Sequence, residues 1–373
     1  MASDSANDSP ARDLSRNERL ILSLIRRHGP LARAALAQRT GLSAQAITNL
    51  TRKLISEGFL DPGKVVRGKV GQPSTPLALA PDGAWFLGLK LGRRLIELAL
   101  VDFTGSVRMH RQEVCPFAHP DRVISFARQG IDTLAASLPA ASRMRITGLG
   151  IAAPFRLWDW GDEMAPWRGR DLQAELARDL PFPVFLENDA STACAAELVF
   201  GRAALPADFL HLYIAHFAGG GVVLDGRLRL GPRRNAGALG SLPMPDGRQL
   251  LELASVATLE ARLGHPLPPD DAGWEVPDAI EAEWADEAGR ALAFAAMSAT
   301  ALLDLSLVVL DGAVPAATRA RLAEATRRAL AAMPAAGIDR PRIVEGSLGR
   351  SARMLGAAAL PLSHFFQPDG KLG

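Results

Sequence analysis

Between Asn17 and Phe59, apolar residues recur at helical spacing in three short bursts. Leu20, Leu24 and Ile25 mark a first helix that stops at His28-Gly29-Pro30. Leu31, Ala35 and Leu36 mark a second that stops at Thr40-Gly41, glycine and proline being the common terminators. Gly41-Leu42-Ser43 is then a short turn, with the Ser43 hydroxyl placed to cap a third helix. That helix turns Ile47, Leu50 and Leu54 inward and leaves Gln45, Thr48, Asn49 and Arg52 on its outer face. Two helices joined by a tight glycine-containing turn, the second with a polar outer face, form the helix-turn-helix pattern. Beyond Gly58-Phe59-Leu60, the stretch Asp61-Pro62-Gly63-Lys64 reads as the turn of a small β-wing.

From residue 85 the periodicity alternates between strand and helix. Strands are expected at 85–91, 95–102, 107–114, 145–152 and 183–187, with helices near 122–138 and 171–180. The same grammar restarts with strands at 209–215 and 221–224, helices at 250–263 and 278–303, a strand at 307–310 and a helix at 315–333. Three antiparallel-looking strands followed by αβ alternation, occurring twice, predict two related α/β lobes with a ligand cleft between them. The domain reading is a disordered tail at 1–15, a winged helix-turn-helix at 16–72, a linker at 73–84 and the two-lobed body at 85–373.

Composition narrows the function. A chain of 373 residues suits two or three domains, and 48% hydrophobic with 22% charged residues fits a soluble protein. No apolar run reaches the roughly 18–20 residues of a membrane span, and MASDSANDSPARD carries no apolar signal segment. Cys115 and Cys194 are the only cysteines, which excludes a disulfide framework and a Cys-rich metal site, so a cytoplasmic location is expected. Net charge is +2, yet residues 1–72 hold 12 Lys/Arg against 6 Asp/Glu while the remainder carries −4. A basic module on an acidic body points to double-stranded DNA as partner. Ser43, Gln45, Thr48 and Asn49 are candidates for base edges, and Arg52 and Lys53 for phosphates. Arg67, Lys69 and Gln72 supply a flexible basic strip able to follow a groove. A plain three-helix bundle with solvated charges would share the core spacing, but turn, cap, polar face and wing together favour DNA.

Several motifs occur in a telling order. They are Gly71-Gln72-Pro73-Ser74 with Leu77-Ala78-Leu79, then Leu186-Glu187-Asn188-Asp189-Ala190, then Gly219-Gly220-Gly221-Val222-Val223-Leu224-Asp225-Gly226. Ala236-Gly237-Ala238-Leu239-Gly240 and Leu355-Gly356-Ala357-Ala358 follow. Together they resemble the ROK family (repressor, open reading frame, kinase), which contains sugar kinases and winged-helix sugar-responsive repressors. The resemblance implies an α/β fold: an actin-like, hexokinase-like two-lobed ATPase fold preceded by an N-terminal winged helix-turn-helix. It also shows what has gone. Lys90 stands where family kinases place an acid, and Arg93-Arg94 replaces the Gly-Thr of their phosphate turn. Ala215-His216-Phe217 replaces a second phosphate loop, and Asp311-Gly312 a Gly-Gly on the adenosine side. Lys90, Arg93 and Arg94 are read as solvated hairpin charges rather than an anion site. The Cys-rich zinc loop is replaced by 246–252, so no metal and no cofactor are expected.

On the sugar side the resemblance makes Asn188 and Asp189 the pair that meets sugar hydroxyls, with a helix cap as the alternative role of Asp189. The family's Glu and His anchors become Ala238 and Ser241, and a Pro-Gly becomes Pro154-Phe155. Trp158 and Trp160 form either an aromatic wall or packing beneath a loop; Trp167 is expected to be structural. The candidate ligand set is therefore Asn188, Asp189, Phe155, Trp158 and Ser241. The chain is read as a non-enzymatic regulator, a homodimer or homotetramer controlled by a small sugar-like effector. A sugar kinase with a DNA-binding head, and a ligand-independent regulator with a vestigial pocket, stay open beside it.

Overall fold

Ser15 starts the first helix, α1 (Arg16–His28), with a reciprocal cap: its Oγ accepts the Glu18 N–H at 3.3 Å while its own N–H reaches Glu18 Oε2 at 2.7 Å. The computed structural model describes residues 14–64, 75–159, 161–201 and 205–368. Of the tail expected at 1–15, Leu14 is buried and Ser15 caps a helix, so these two belong to the folded head. The described chain divides into two units, one running to Glu187 and resuming at Ala357, the other spanning Asn188–Gly356.

In the first unit, α2 (Arg33–Thr40) and α3 (Ala44–Ser56) follow α1, and Gly41 ends α2 in the left-handed region at φ 70°. The buried stripe of α3 is Ile47, Thr51 and Leu54, with Leu50 only half-buried. Thr51 earns its place by hydrogen bonding: it donates to the Ile47 carbonyl at 2.8 Å and accepts from Arg33 Nε at 2.9 Å, tying α2 to α3. β1 (Leu60–Pro62) pairs antiparallel with β2 (Leu77–Leu79), and Leu31 adds a bridge at Leu77. Two expectations change here. Asp61 and Pro62 belong to a strand rather than a turn, and Gly63 continues the ladder by donating to the Pro76 carbonyl at 2.8 Å. The wing therefore takes residues 77–79 from the stretch read as a linker. Arg67, Lys69, Gln72 and Trp160 lie outside the described residues.

The body of this unit is built from β3 (Trp85–Leu91), β4 (Leu95–Asp102), β5 (Val107–Val114), α4 (Pro120–Ala136), α5 (Ala140–Arg143), β6 (Ile146–Ala153), α6 (Leu172–Ala177) and β7 (Val184–Asn188). Strand order is β5-β4-β3-β6-β7, with β3–β4 and β4–β5 antiparallel and β3–β6 parallel. β3 and β6 are buried along their whole length, as their near-continuous apolar sequence requires.

The second unit repeats the plan with α7 (Asp189–Phe200), β8 (Phe209–Ile214), β9 (Gly219–Leu224), β10 (Arg227–Arg229), α8 (Leu251–Ala254), α9 (Val256–Leu263), α10 (Asp278–Leu303), β11 (Leu307–Gly312), α11 (Ala316–Ala332) and β12 (Arg342–Glu345). Its sheet runs β10-β9-β8-β11-β12, antiparallel across the first three strands and parallel across the last three. The helix expected at 250–263 is broken at Ser255, which is extended and whose Oγ accepts the Ala218 N–H at 2.8 Å.

α12 (Ala352–Phe366) ends the described secondary structure. From Ala357 onward it crosses β6 where only glycine fits, since a Cβ on Gly150 would lie 1.8 Å from the Ala357 carbonyl oxygen. Phe366 closes an aromatic cluster with Phe103, Phe59 and Phe86, at ring-centre distances of 4.7, 5.6 and 5.8 Å. Ser23 of α1 donates to the Phe366 carbonyl at 3.4 Å. This second covering explains the rotated stripe of α1, where Ile21, Leu22 and Ile25 are buried while Leu20 and Leu24 are half-buried. Among the described residues no helix is long and apolar enough to cross a membrane.

Candidate nucleic-acid interface and ligand site

α3 presents a short polar row. Ser43 Oγ accepts the Ala46 N–H at 3.2 Å and so begins the helix as expected. Gln45 and Asn49 are exposed one turn apart and are joined by Gln45 Nε2 donating to Asn49 Oδ1 at 3.2 Å. Thr48 is anchored by its hydroxyl to the Ala44 carbonyl at 2.8 Å, and Arg52 is exposed beyond it. Amide and hydroxyl groups so placed suit base edges, with the guanidinium suited to phosphate. Lys53 has partners within the fold. Its Nζ lies 2.9 Å from Glu18, a carboxylate 2% exposed, and 3.8 Å from Glu57. Burial works against the Glu18 charge, but hydrogen bonds from Lys53 and Ser15 outweigh it and hold the carboxyl below its usual range. Lys53 thus braces α3 against α1.

The hairpin of β3 and β4 holds a buried ion pair. Lys90 faces Glu97 directly across the ladder and hydrogen-bonds it, with Lys90 5% exposed. His110 Nε2 approaches the other Glu97 oxygen at 3.4 Å, and Arg93 pairs with Glu163. Lys90 is therefore not the solvated charge the sequence implied, because burial in the sheet demands a counter-ion.

In the second unit Asn188 is the cap of α7: its Oδ1 accepts the Ala190 and Ser191 N–H groups at 3.0 and 3.3 Å. Asp189 is not the cap. Its carboxylate accepts Arg353 Nη1 at 2.9 Å, with both side chains largely shielded. Ser241 is exposed at the end of a 3₁₀ turn, Leu239–Ser241. Gly240 packs on Ala218, and the next residue, Gly219, packs on Ala190, so one short segment joins Ser241 to the Asp189 turn. Phe155 and Trp158 belong to the first unit, both half-buried. Trp158 packs against that unit's core, which favours loop packing over a ligand wall. Trp167 is structural as expected, donating to the Ala118 carbonyl at 2.7 Å.

Asp311 is fully buried and accepts the N–H groups of Gly312 at 2.8 Å and Gly349 at 2.9 Å. Glu197 holds the same turn from Ser347, whose N–H and hydroxyl donate at 3.1 and 3.0 Å. Burial pushes both carboxyls up, against the lowering effect of these hydrogen bonds. Folded chains keep these protons at pH values where unfolded chains have lost them. Stability should therefore fall as pH rises from the ordinary carboxyl value through the raised one. Asp311→Asn should flatten part of that fall in denaturant titrations across the range; an unchanged slope would show that Asp311 titrates normally.

The winged helix-turn-helix DNA-binding family matches residues 14–61, and the ROK family matches residues 86–363. The chain belongs to the ROK family. Protein y4fQ of Sinorhizobium fredii is 27% identical over 367 residues, covering 95% of this chain and 92% of that protein. The xylose repressor of Bacillus subtilis is 23% identical over 231 residues, 61% of this chain and 60% of the repressor. Among solved structures, a ROK family transcriptional regulator homologous to Escherichia coli Mlc superposes with a TM-score of 0.67 at 23% identity, covering 95% of this chain and 97% of that one. The ROK hexokinase of Thermus thermophilus gives 0.54 at 26% identity, covering 74% and 97%. The fold is thus a winged helix-turn-helix followed by the actin-like, hexokinase-like α/β fold, shared by ROK regulators and ROK kinases.

Within this ROK chain, sequence reading missed Glu97, Arg353 and Glu18 as partners. Glu97 was detectable, since a lysine in an otherwise apolar strand calls for an acid opposite it. Arg353 pairs with a residue 164 positions away and carries no local signal.

Proposed function

We propose that this ROK protein is a sequence-specific DNA-binding transcriptional regulator, a repressor of carbohydrate or related catabolic genes. The observation that carries the reading is the polar row on the second helix of a helix-turn-helix, where Gln45, Asn49 and Arg52 are exposed and Thr48 is half-buried beside them. The family relationship to a xylose repressor supports the target class. Asn188, Asp189 and Ser241 are assigned to an effector site in the second unit. Arg67, Lys69 and Gln72 are assigned to groove and phosphate contacts. The protein works in the cytoplasm as a homo-oligomer that places two heads on a two-fold operator.

The chain does not act as an enzyme on this reading. The Lys90–Glu97 pair fills the hairpin position where family kinases hold phosphate, and Asp311 takes backbone N–H groups on the adenosine side. Selection from a random duplex pool by the full chain should enrich one sequence, and incubation with ATP, magnesium and a panel of hexoses and pentoses should yield no phosphorylated sugar. Phosphotransfer without sequence enrichment would replace this reading with the kinase one. The Asp189–Arg353 pair favours one further reading, a ligand-independent regulator whose pocket is closed by its own side chains.

A further inference from the structure

The groups around Asp189 have changed from acceptors to donors. Both lone pairs of Asn188 Oδ1 are taken by the Ala190 and Ser191 N–H groups, so its amide has only NH2 donors left to offer. Asp189 is paired with Arg353 at 2.9 Å, the side chains being 17% and 13% exposed. The Arg353 guanidinium also lies over the Tyr213 ring, 5.5 Å from its centre. In the turn that ends at Ser241, Ala238 has no side-chain acceptor, and the approach to that turn carries exposed Arg233 and Arg234. A Cβ on Gly237 would meet Gly221 at 2.7 Å, and one on Gly219 would meet Ala190 at 2.7 Å. The basic turn and Asp189 therefore share the first residues of β9.

A neutral sugar that takes Arg353 from Asp189 separates two shielded charges and restores neither. A ligand with its own anion exchanges one ion pair for another, and the displaced Asp189 carboxylate then accepts the ligand's hydroxyls. We infer that the effector is an anionic polyol, a sugar carrying a carboxylate or a phosphate, held by Arg353 in place of Asp189. This rests on the reading of Asp189 as part of an effector site.

The test uses the full chain at constant ionic strength, with D-glucose, D-gluconate and glucose 6-phosphate, and with D-xylose and D-xylonate, read by calorimetry and thermal shift. At least one anion should bind with a Kd about tenfold or more below its neutral parent, a difference of roughly 1.4 kcal/mol. Gluconate or xylonate ahead of the phosphate assigns a carboxylate, and the reverse order a phosphate. Arg353→Gln should abolish the preference, Arg353→Lys should restore part of it, and Asp189→Asn, which removes the competing carboxylate, should tighten the anion. Neutral sugars binding as well as the anions, or an anion preference that survives Arg353→Gln, overturns the inference and leaves the effector site standing. Absence of any response to all five compounds overturns the inference and the effector reading together.

Discussion

Phe366→Ala should cost about 3–5 kcal/mol of stability, the usual range for removing a buried phenylalanine. Its ring is 2% exposed and touches Phe59 from the DNA-binding head as well as Phe86 and Phe103 from the sheet beneath. Those contacts continue outward: Arg26 of α1 lies 5.0 Å over Phe103, and Arg145 donates to the Glu57 carbonyl at 2.7 Å and the Gly83 carbonyl at 2.9 Å. The head and the first sheet are thus one continuous core within their unit. Truncation should lower Tm by roughly 6–20 °C, at about 2–4 °C per kcal/mol for a unit of this size. Phe366→Leu keeps most of the volume and should cost less than about 1.5 kcal/mol. Equal losses for the two variants would contradict the packing account.

The second large effect is expected at the buried hairpin. Glu97→Ala removes the carboxylate from a cation that is 5% exposed, and breaking such a pair typically costs about 3–5 kcal/mol. Replacing both partners, Lys90→Met with Glu97→Leu, should recover that loss or exceed it, because the apolar pair carries no desolvation cost. Denaturant titrations of the two single variants and the double variant form the cycle that measures the coupling. A Glu97→Ala protein as stable as the native one would mean that Lys90 finds water instead.

Long, strongly patterned elements were legible in the sequence. The helix expected at 278–303 is α10 to the residue, flanked by Pro277 and ended by Asp304 in the left-handed region at φ 54°. Strands 85–91, 95–102 and 107–114 match β3, β4 and β5 because each is bounded by turn residues. Short edge strands were not found: Arg227–Arg229 and Arg342–Glu345 are too brief and too polar to show a period. The split at Ser255 was invisible because a tertiary hydrogen bond to Ala218 causes it. The candidate site shows the same division. Ser43 as a cap follows from local spacing, whereas Lys53 on Glu18 and Asp189 on Arg353 depend on which helices meet. Motif order points to Asn188 and Asp189; the partner of Asp189 comes from a distant part of the chain.

Gln45→Ala distinguishes base reading by α3 from attraction by charge alone. Gln45 is exposed and paired with Asn49, away from every core contact of α3, so its loss should leave melting unchanged. Affinity of the full chain for its selected duplex and for random duplex should be measured side by side at one salt concentration. A loss of about 1–3 kcal/mol is expected on the selected duplex, with little change on random DNA. Equal weakening on both duplexes, or no loss on either, would contradict base reading by α3.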